Sequence, residues 1–309
     1  MGKITTKQFQ VLTDVNMAWD FMVEVYEDTG ENGIENAEAP FFEYALTSTW
    51  MNKSYLHLCR FWMDEDMVVG FVFYEAPVTN LHFVLRPGYE ELADEMIAYA
   101  IEAFPDVNGE KEFAFSTGQT ALMEAAEKRG YKLWEKEREY RLDMTASALN
   151  YELPEGFHFV APAEADPLKI ARCTWKGFNE WKLGPFENWD VPNDKTEWSP
   201  HRSYTGVLSN AIAPPPHSTY EHNIIIANEE GEYVCFSGMW WVPENKLAYM
   251  EPLCTIPEYQ HRGLAAAALT EHYRRFKEKG GRFLTGGGNE FYRKIGYDTE
   301  VYTLIYRKG

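Results

Sequence analysis

Residues 255–266 are TIPEYQHRGLAA, and residues 289–297 are NEFYRKIGY. In the first stretch a tight turn carrying Gln260, His261, Arg262 and Gly263 opens directly into an alanine run. The periodicity predicts a helix from about 263 to 279, ended by Gly280-Gly281, yet no Ser, Thr, Asp or Asn stands at its start as an N-cap. The first backbone N–H groups of a helix have no intrahelical partner and carry a partial positive charge, so an anion placed there is stabilised. Gly263 lets the backbone bend and approach a ligand, and Ala265 to Ala268 keep side chains out of the way. The implied ligand is a phosphate or pyrophosphate held mainly by main-chain amides from His261 through Leu264 to Ala265. Neither G-x-x-x-x-G-K-[ST] nor G-x-G-x-x-G is present, which sets aside the P-loop and dinucleotide folds.

Around this turn the second half of the chain predicts strands at 157–161, 223–227, 233–242 and 247–255, with a helical region near 170–181. A long irregular stretch from about 183 to 222 carries Trp189, Trp198, His201 and the tract 214–216. After the main helix come a strand at 282–285, a short helix at 289–295 and a last strand at 299–306. The first half follows a similar plan: strands at 55–62, 67–74 and 82–85, a helix at 89–104, a strand at 112–116, a helix at 120–129 and a strand at 134–142. Both halves end strand–helix–strand–helix–Gly-Tyr–strand, with Gly130-Tyr131 answering Gly296-Tyr297. Small residues followed by Pro154 and Gly156 mark a boundary, giving expected domains at 1–145 and 146–309.

The 309 residues are 45% apolar, enough for two cores, and no apolar run is long enough to span a bilayer. The N-terminus lacks the apolar stretch of a signal peptide, so a cytoplasmic protein is expected. Four scattered cysteines show no metal-ligand spacing and are expected to be reduced and structural, with no metal bound. The net charge of −19 disfavours nucleic acid and anionic membrane as partners and would draw in a cation. Most of it lies in residues 1–150, where 27 acidic residues face 12 basic ones.

Together the two opening motifs resemble the GNAT superfamily of N-acetyltransferases. Gln260, Gly263 and Ala265 match its Q/R-x-x-G-x-G/A acetyl-CoA signature, and Asn289, Tyr292, Gly296 and Tyr297 match its N…Y-x-x-x-G-F/Y element. The resemblance implies an α/β (α+β) chain of two tandem GNAT-like domains, each a mixed, mostly antiparallel sheet flanked by helices and splayed at the central strand. It implies acetyl-CoA as co-substrate and direct attack by a small amine acceptor in a ternary complex. Leu253, Cys254 and Thr255 on the strand before the turn would meet the pantetheine arm and thioester, and Gln260, His261 and Arg262 would join the turn amides. Tyr292 would protonate the departing thiolate, or would pack its helix. Asn289 would touch the pantetheine, or would cap that helix. Glu251 would act as general base, or would hold a cationic substrate; Tyr249, Trp240 and Trp241 would line the acceptor pocket. The first half has Glu90 and Glu91 where the turn should receive an anion and Ala126 in place of the tyrosine, so a degenerate, non-catalytic copy that has lost the glycine turn is expected. An acyl-CoA-binding sensor without chemistry and a transferase using another acyl donor are the alternatives. A monomer or homodimer is expected.

Overall fold

The computed structural model describes residues 2–27, 36–106, 111–189, 198–212, 217 and 219–309. The chain forms two compact units that are not contiguous in sequence. Unit 1 comprises Met1–Leu46, Trp50–Tyr140 and Thr299–Gly309; unit 2 comprises Thr47–Thr49 and Arg141–Asp298. A single cut between 145 and 146, as expected from the linker composition, therefore differs from the partition found, because the last eleven residues belong with the first unit.

Unit 1 contains β1 (Ile4–Gln8), α1 (Val15–Val25), α2 (Ala39–Thr47), β2 (Arg60–Asp64), β3 (Met67–Tyr74), β4 (Asn80–Leu85), α3 (Ala93–Ala103), β5 (Glu112–Ser116), α4 (Thr120–Glu127) and most of β6 (Tyr131–Asp143). Its sheet runs β1-β2-β3-β4-β5 and is continued by the chain's last strand, β12 (Thr299–Lys308), antiparallel to β5. β4 and β5 pair in parallel. The expected strand at 55–62 is instead a 3-10 turn over Lys53–Leu58 followed by β2; the Asn52 side chain accepts from the Ser54 N–H and so favours the turn. The core is aromatic: Phe61 stacks on Phe71 at 4.5 Å, and Phe42 meets Phe71 and Phe73 edge-on at 5.2 and 5.0 Å.

Unit 2 contains β7 (Phe157–Phe159), α5 (Pro167–Gly177), α6 (Pro200–Val207), β8 (Ile224–Asn228), β9 (Tyr233–Val242), β10 (Leu247–Thr255), α7 (Leu264–Glu278), β11 (Phe283–Thr285) and α8 (Glu290–Ile295). Its strands run β11-β10-β9-β8-β7, and Arg141–Asp143 at the end of β6 pair antiparallel with β11. β9 is buried along almost its whole length, as a central strand covered on both faces should be. Helix α5 starts on a strong local signal, Asp166 accepting from the Leu168 and Lys169 N–H groups with Pro167 at the first position. The stretch expected to be irregular holds α6, capped by Ser199 before Pro200, and a wider helical turn over Leu208–Ile212; the tract 214–216 lies outside the described residues.

Strand β10 parts from its neighbour, as the family resemblance implies. It pairs in parallel with β11 only at Leu247 and Ala248, while it follows β9 to its end at Thr255. Between Met250 and Leu253 its register with β9 slips by one residue, so Glu251 and Pro252 form a bulge opposite Gly238. A proline without an N–H fits such a position. A Cβ on Gly238 would lie 2.3 Å from the Glu251 carbonyl oxygen, so only glycine lets the two strands approach this closely. Gly238→Ala is expected to cost about 1–3 kcal/mol, lowering Tm by about 2–4 °C for each kcal/mol, as a thermal melt would show.

Candidate active site

The turn behaves as its sequence suggests. Gly263 is the residue before α7, at φ 85°, and no side chain caps the helix. His261 is also left-handed, at φ 61°, so two backbone bends aim the loop at the helix start. Ala267 N–H is the first to bond back, to the Gly263 carbonyl at 2.9 Å, which leaves the amides of Leu264, Ala265 and Ala266 directed out of the helix end. A Cβ added at Gly263 would meet nothing within 4 Å, so the glycine serves the backbone conformation and keeps the approach clear.

These amides open onto a cleft of about 390 Å³ within unit 2. Leu253, Cys254 and Thr255, from the part of β10 beyond its pairing with β11, line one side, and Gln260, His261, Gly263, Leu264 and Ala265 line the turn. Asn289 and Tyr292 close it from α8. Motifs some twenty-five residues apart in sequence thus meet in one cavity. Gly177 and Phe178 at the end of α5, with Tyr259, Ala266 and Phe291, complete the lining, and the sequence reading did not anticipate them.

The side chains around the turn are held by local contacts, and Arg262 stands apart from its expected place. Arg262 does not line the cleft: its guanidinium donates to the Glu258 carbonyl at 3.2 Å and lies over the Tyr259 ring at 4.8 Å, bracing the loop. The Gln260 amide turns back to the Thr255 carbonyl at 3.2 Å. Asn289 caps α8, accepting from Phe291 N–H at 2.9 Å, while also facing the cavity. Tyr292 is 8% exposed, its ring set against Tyr297 at 5.2 Å and above Gly287, where an added Cβ would press on it at 3.2 Å. Cys254 is buried against α5, and all four cysteines are unpaired.

Tyr249, Glu251, Trp240 and Trp241 lie outside the lining of this cavity. Tyr249 and Trp240 are cross-strand partners with rings 6.4 Å apart. Trp241, next along β9, must point to the opposite face, and it packs there on Phe276 of α7 at 5.3 Å. The two tryptophans therefore cannot wall one pocket together.

A further acidic residue stands near the cleft. Gly177 is pressed on β10 so closely that an added Cβ would lie 2.7 Å from the Cys254 Cβ. Glu180 follows three residues later, after Asn179 turns the chain at φ 62°, which limits its Cα to about 11 Å from that contact. Burial pushes its carboxyl up to about 7, with the Trp198 indole beside it pulling the other way. By contrast His272, in hydrogen-bond contact with Ser237 at 3.0 Å, is sealed in the core and driven down to about 3 by burial. That pair has no path to a substrate.

The comparisons with known proteins agree with this geometry. A family model described as Acetyltransferase (GNAT) family matches residues 175–297, which span the turn, the cleft and Tyr292. The match supports the GNAT superfamily assignment over residues 175–297. No curated protein matches the chain in sequence. Among solved structures, a tandem GNAT protein from the clavulanic acid biosynthesis pathway covers 99% of this chain and 98% of its own, at 8% identity and TM-score 0.57. A GNAT-family acetyltransferase from Colwellia psychrerythraea covers 98% and 99%, at 11% identity and TM-score 0.56. The C-terminal domain of a putative lysylphosphatidylglycerol synthetase from Agrobacterium fabrum covers 97% and 93%, at 12% and 0.55. At such identities the likeness is one of fold, and the fold is the tandem GNAT fold expected from the sequence. The family and fold are those of acyltransferases. Among the described residues no helix is long and apolar enough to cross a membrane.

Proposed function

We propose that unit 2 is an N-acetyltransferase that takes its acetyl group from acetyl-CoA and passes it to a primary amine of a small cationic acceptor. The observation that carries this reading is the convergence, in one cleft, of an uncapped helix start, the stretch of β10 that has parted from β11, and Tyr292. The residues fit the co-substrate: three turn amides suit a pyrophosphate, the small side chains of Gly263 and Ala265 clear its approach, and Leu253 to Thr255 offer a strand edge for an amide-bearing arm. When bound, acetyl-CoA supplies the activated thioester. The chain's own part is to orient, to take one proton and to return another.

The phenol of Tyr292, on the α8 side of the cleft, would give its proton to the leaving sulfur. Glu180 and Glu251 both stand about three residues along the chain from Cys254 or its contact, hence within about 11 Å of it. We assign the acceptor's proton to Glu180, whose burial holds its carboxyl in a working range, and the binding of the cation to Glu251 beside Tyr249 and Trp240. The acidity of the chain favours a cationic acceptor. Release of CoA thiol from acetyl-CoA, followed across polyamines, aminoglycosides, amino acids and peptides, tests the function. Turnover with a cationic amine is expected. Tight binding of acetyl-CoA without turnover on any amine would turn the reading towards a sensor, and preference for another acyl-CoA in competition would replace the donor.

A further inference from the structure

Unit 1 has its own version of the turn. Gly88 stands at φ 88°, close to the 85° of Gly263, and after Tyr89 come the 3-10 turn Glu90–Leu92 and α3. The glycine conformation expected in one copy only is therefore present in both. What differs is what fills the space in front of it. The Glu90 carboxylate folds back and accepts the Gly88 N–H at 2.8 Å, placing an anion of the chain's own at the start of the 3-10 turn that leads into α3. Behind it, Arg86 is clamped by Glu24 through two bonds of 2.7 and 2.8 Å.

The strand gap is filled as well. In unit 1, β4 and β5 pair from Asn80 to His82 and then part, as β10 and β11 part after Ala248. Gln119, the residue before α4, occupies the position that Asn289 holds before α8. Asn289 is short and caps its own helix. Gln119 is one methylene longer and reaches back between the strands: its Nε2 donates to the Phe83 carbonyl at 2.6 Å, and its Oε1 accepts the Ser116 N–H at 3.1 Å. It thus bridges β4 to β5 as an inserted peptide group would. Asn36 completes the closure, accepting from Gln119 Nε2 at 3.0 Å and from Leu85 N–H at 3.1 Å. Gln119 and Asn36 are 7% and 2% exposed, so the network is sealed.

We propose that unit 1 keeps the frame of the cofactor cleft and occupies it with its own side chains, Glu90 in the place of the pyrophosphate and the Gln119–Asn36 amides in the place of the pantetheine. The inference rests on the reading of the unit 2 cleft as the acetyl-CoA site. Its consequence is one acetyl-CoA per chain, with unit 1 closed by satisfied hydrogen bonds as well as by the charge of Glu90.

Two measurements on the full chain test it. Calorimetric titration with acetyl-CoA is expected to give one site, abolished by Ala265→Glu, which places in unit 2 the carboxylate that Glu90 places in unit 1. Two sites per chain would overturn the self-occupied unit 1. One site that survives Ala265→Glu would overturn the unit 2 reading and the inference together. Backbone hydrogen exchange provides a readout that needs no cofactor. The Leu85 and Ser116 amides should be protected in the free chain, unchanged by acetyl-CoA, and should exchange faster in Asn36→Ala and Gln119→Ala respectively. If acetyl-CoA fails to bind at all, the functional reading falls, while this protection still decides whether the closure exists; free exchange at both amides in the unaltered chain would refute it.

Discussion

Tyr292→Phe is expected to lower kcat by about 10²–10⁴-fold, the usual worth of a positioned general acid, while leaving acetyl-CoA affinity nearly unchanged. The substitution removes one oxygen and keeps the ring, so the packing against Tyr297 and over Gly287 survives and α8 stays in place. A loss confined to kcat therefore reports on the phenol proton and not on the fold. The check is steady-state kinetics with a reactive amine, paired with direct measurement of acetyl-CoA binding by the same variant. An unchanged kcat would reduce Tyr292 to a packing residue. A thiol of lower pKa on the donor should partly rescue the variant, because a better leaving group depends less on an acid.

The second large effect concerns pH. A base must be deprotonated to act, so with Glu180 raised to about 7 by burial, kcat/KM should climb as pH rises through about 7 and level off above it. Below that value the carboxyl is protonated, and the rate should fall about tenfold per pH unit. Glu180→Gln is expected to remove this limb and to depress the plateau by about 10²–10⁴-fold, leaving a rate that depends on the fraction of acceptor already present as free amine. Glu251→Gln should instead raise the KM of the cationic acceptor and preserve the limb. If Glu251→Gln erases the limb and Glu180→Gln does not, the two roles are exchanged. The comparison uses one amine across the pH range, with acetyl-CoA saturating.

Much of the cleft could be seen in the sequence because its determinants are local. A glycine at positive φ, a missing cap and a run of small residues lie within six positions, and each has a direct backbone meaning. β9, β10 and α7 follow their hydrophobic periods within a residue or two. What escaped is what depends on distant partners. Gln119 and Asn36 are 83 residues apart, and nothing near either tells that their amides meet. Glu180 meets the Trp198 indole eighteen positions on, a contact with no local mark in the sequence. β1, α1 and α2 were not assigned from sequence. Two other misses were avoidable: Ser199-Pro200 is a standard helix start, and consecutive tryptophans on a strand must face opposite ways.

The strand pattern at 299–306 is also plain, but a strand pattern does not say which sheet it will join. Because it completes unit 1 while Arg141–Asp143 complete the β11 edge of unit 2, each half of the duplicated chain depends on residues encoded with the other. No single junction in the gene yields either half intact. If unit 2 catalyses and unit 1 is closed as proposed, the two are thereby bound in inheritance, because deleting either contiguous half would strip the other of a strand segment.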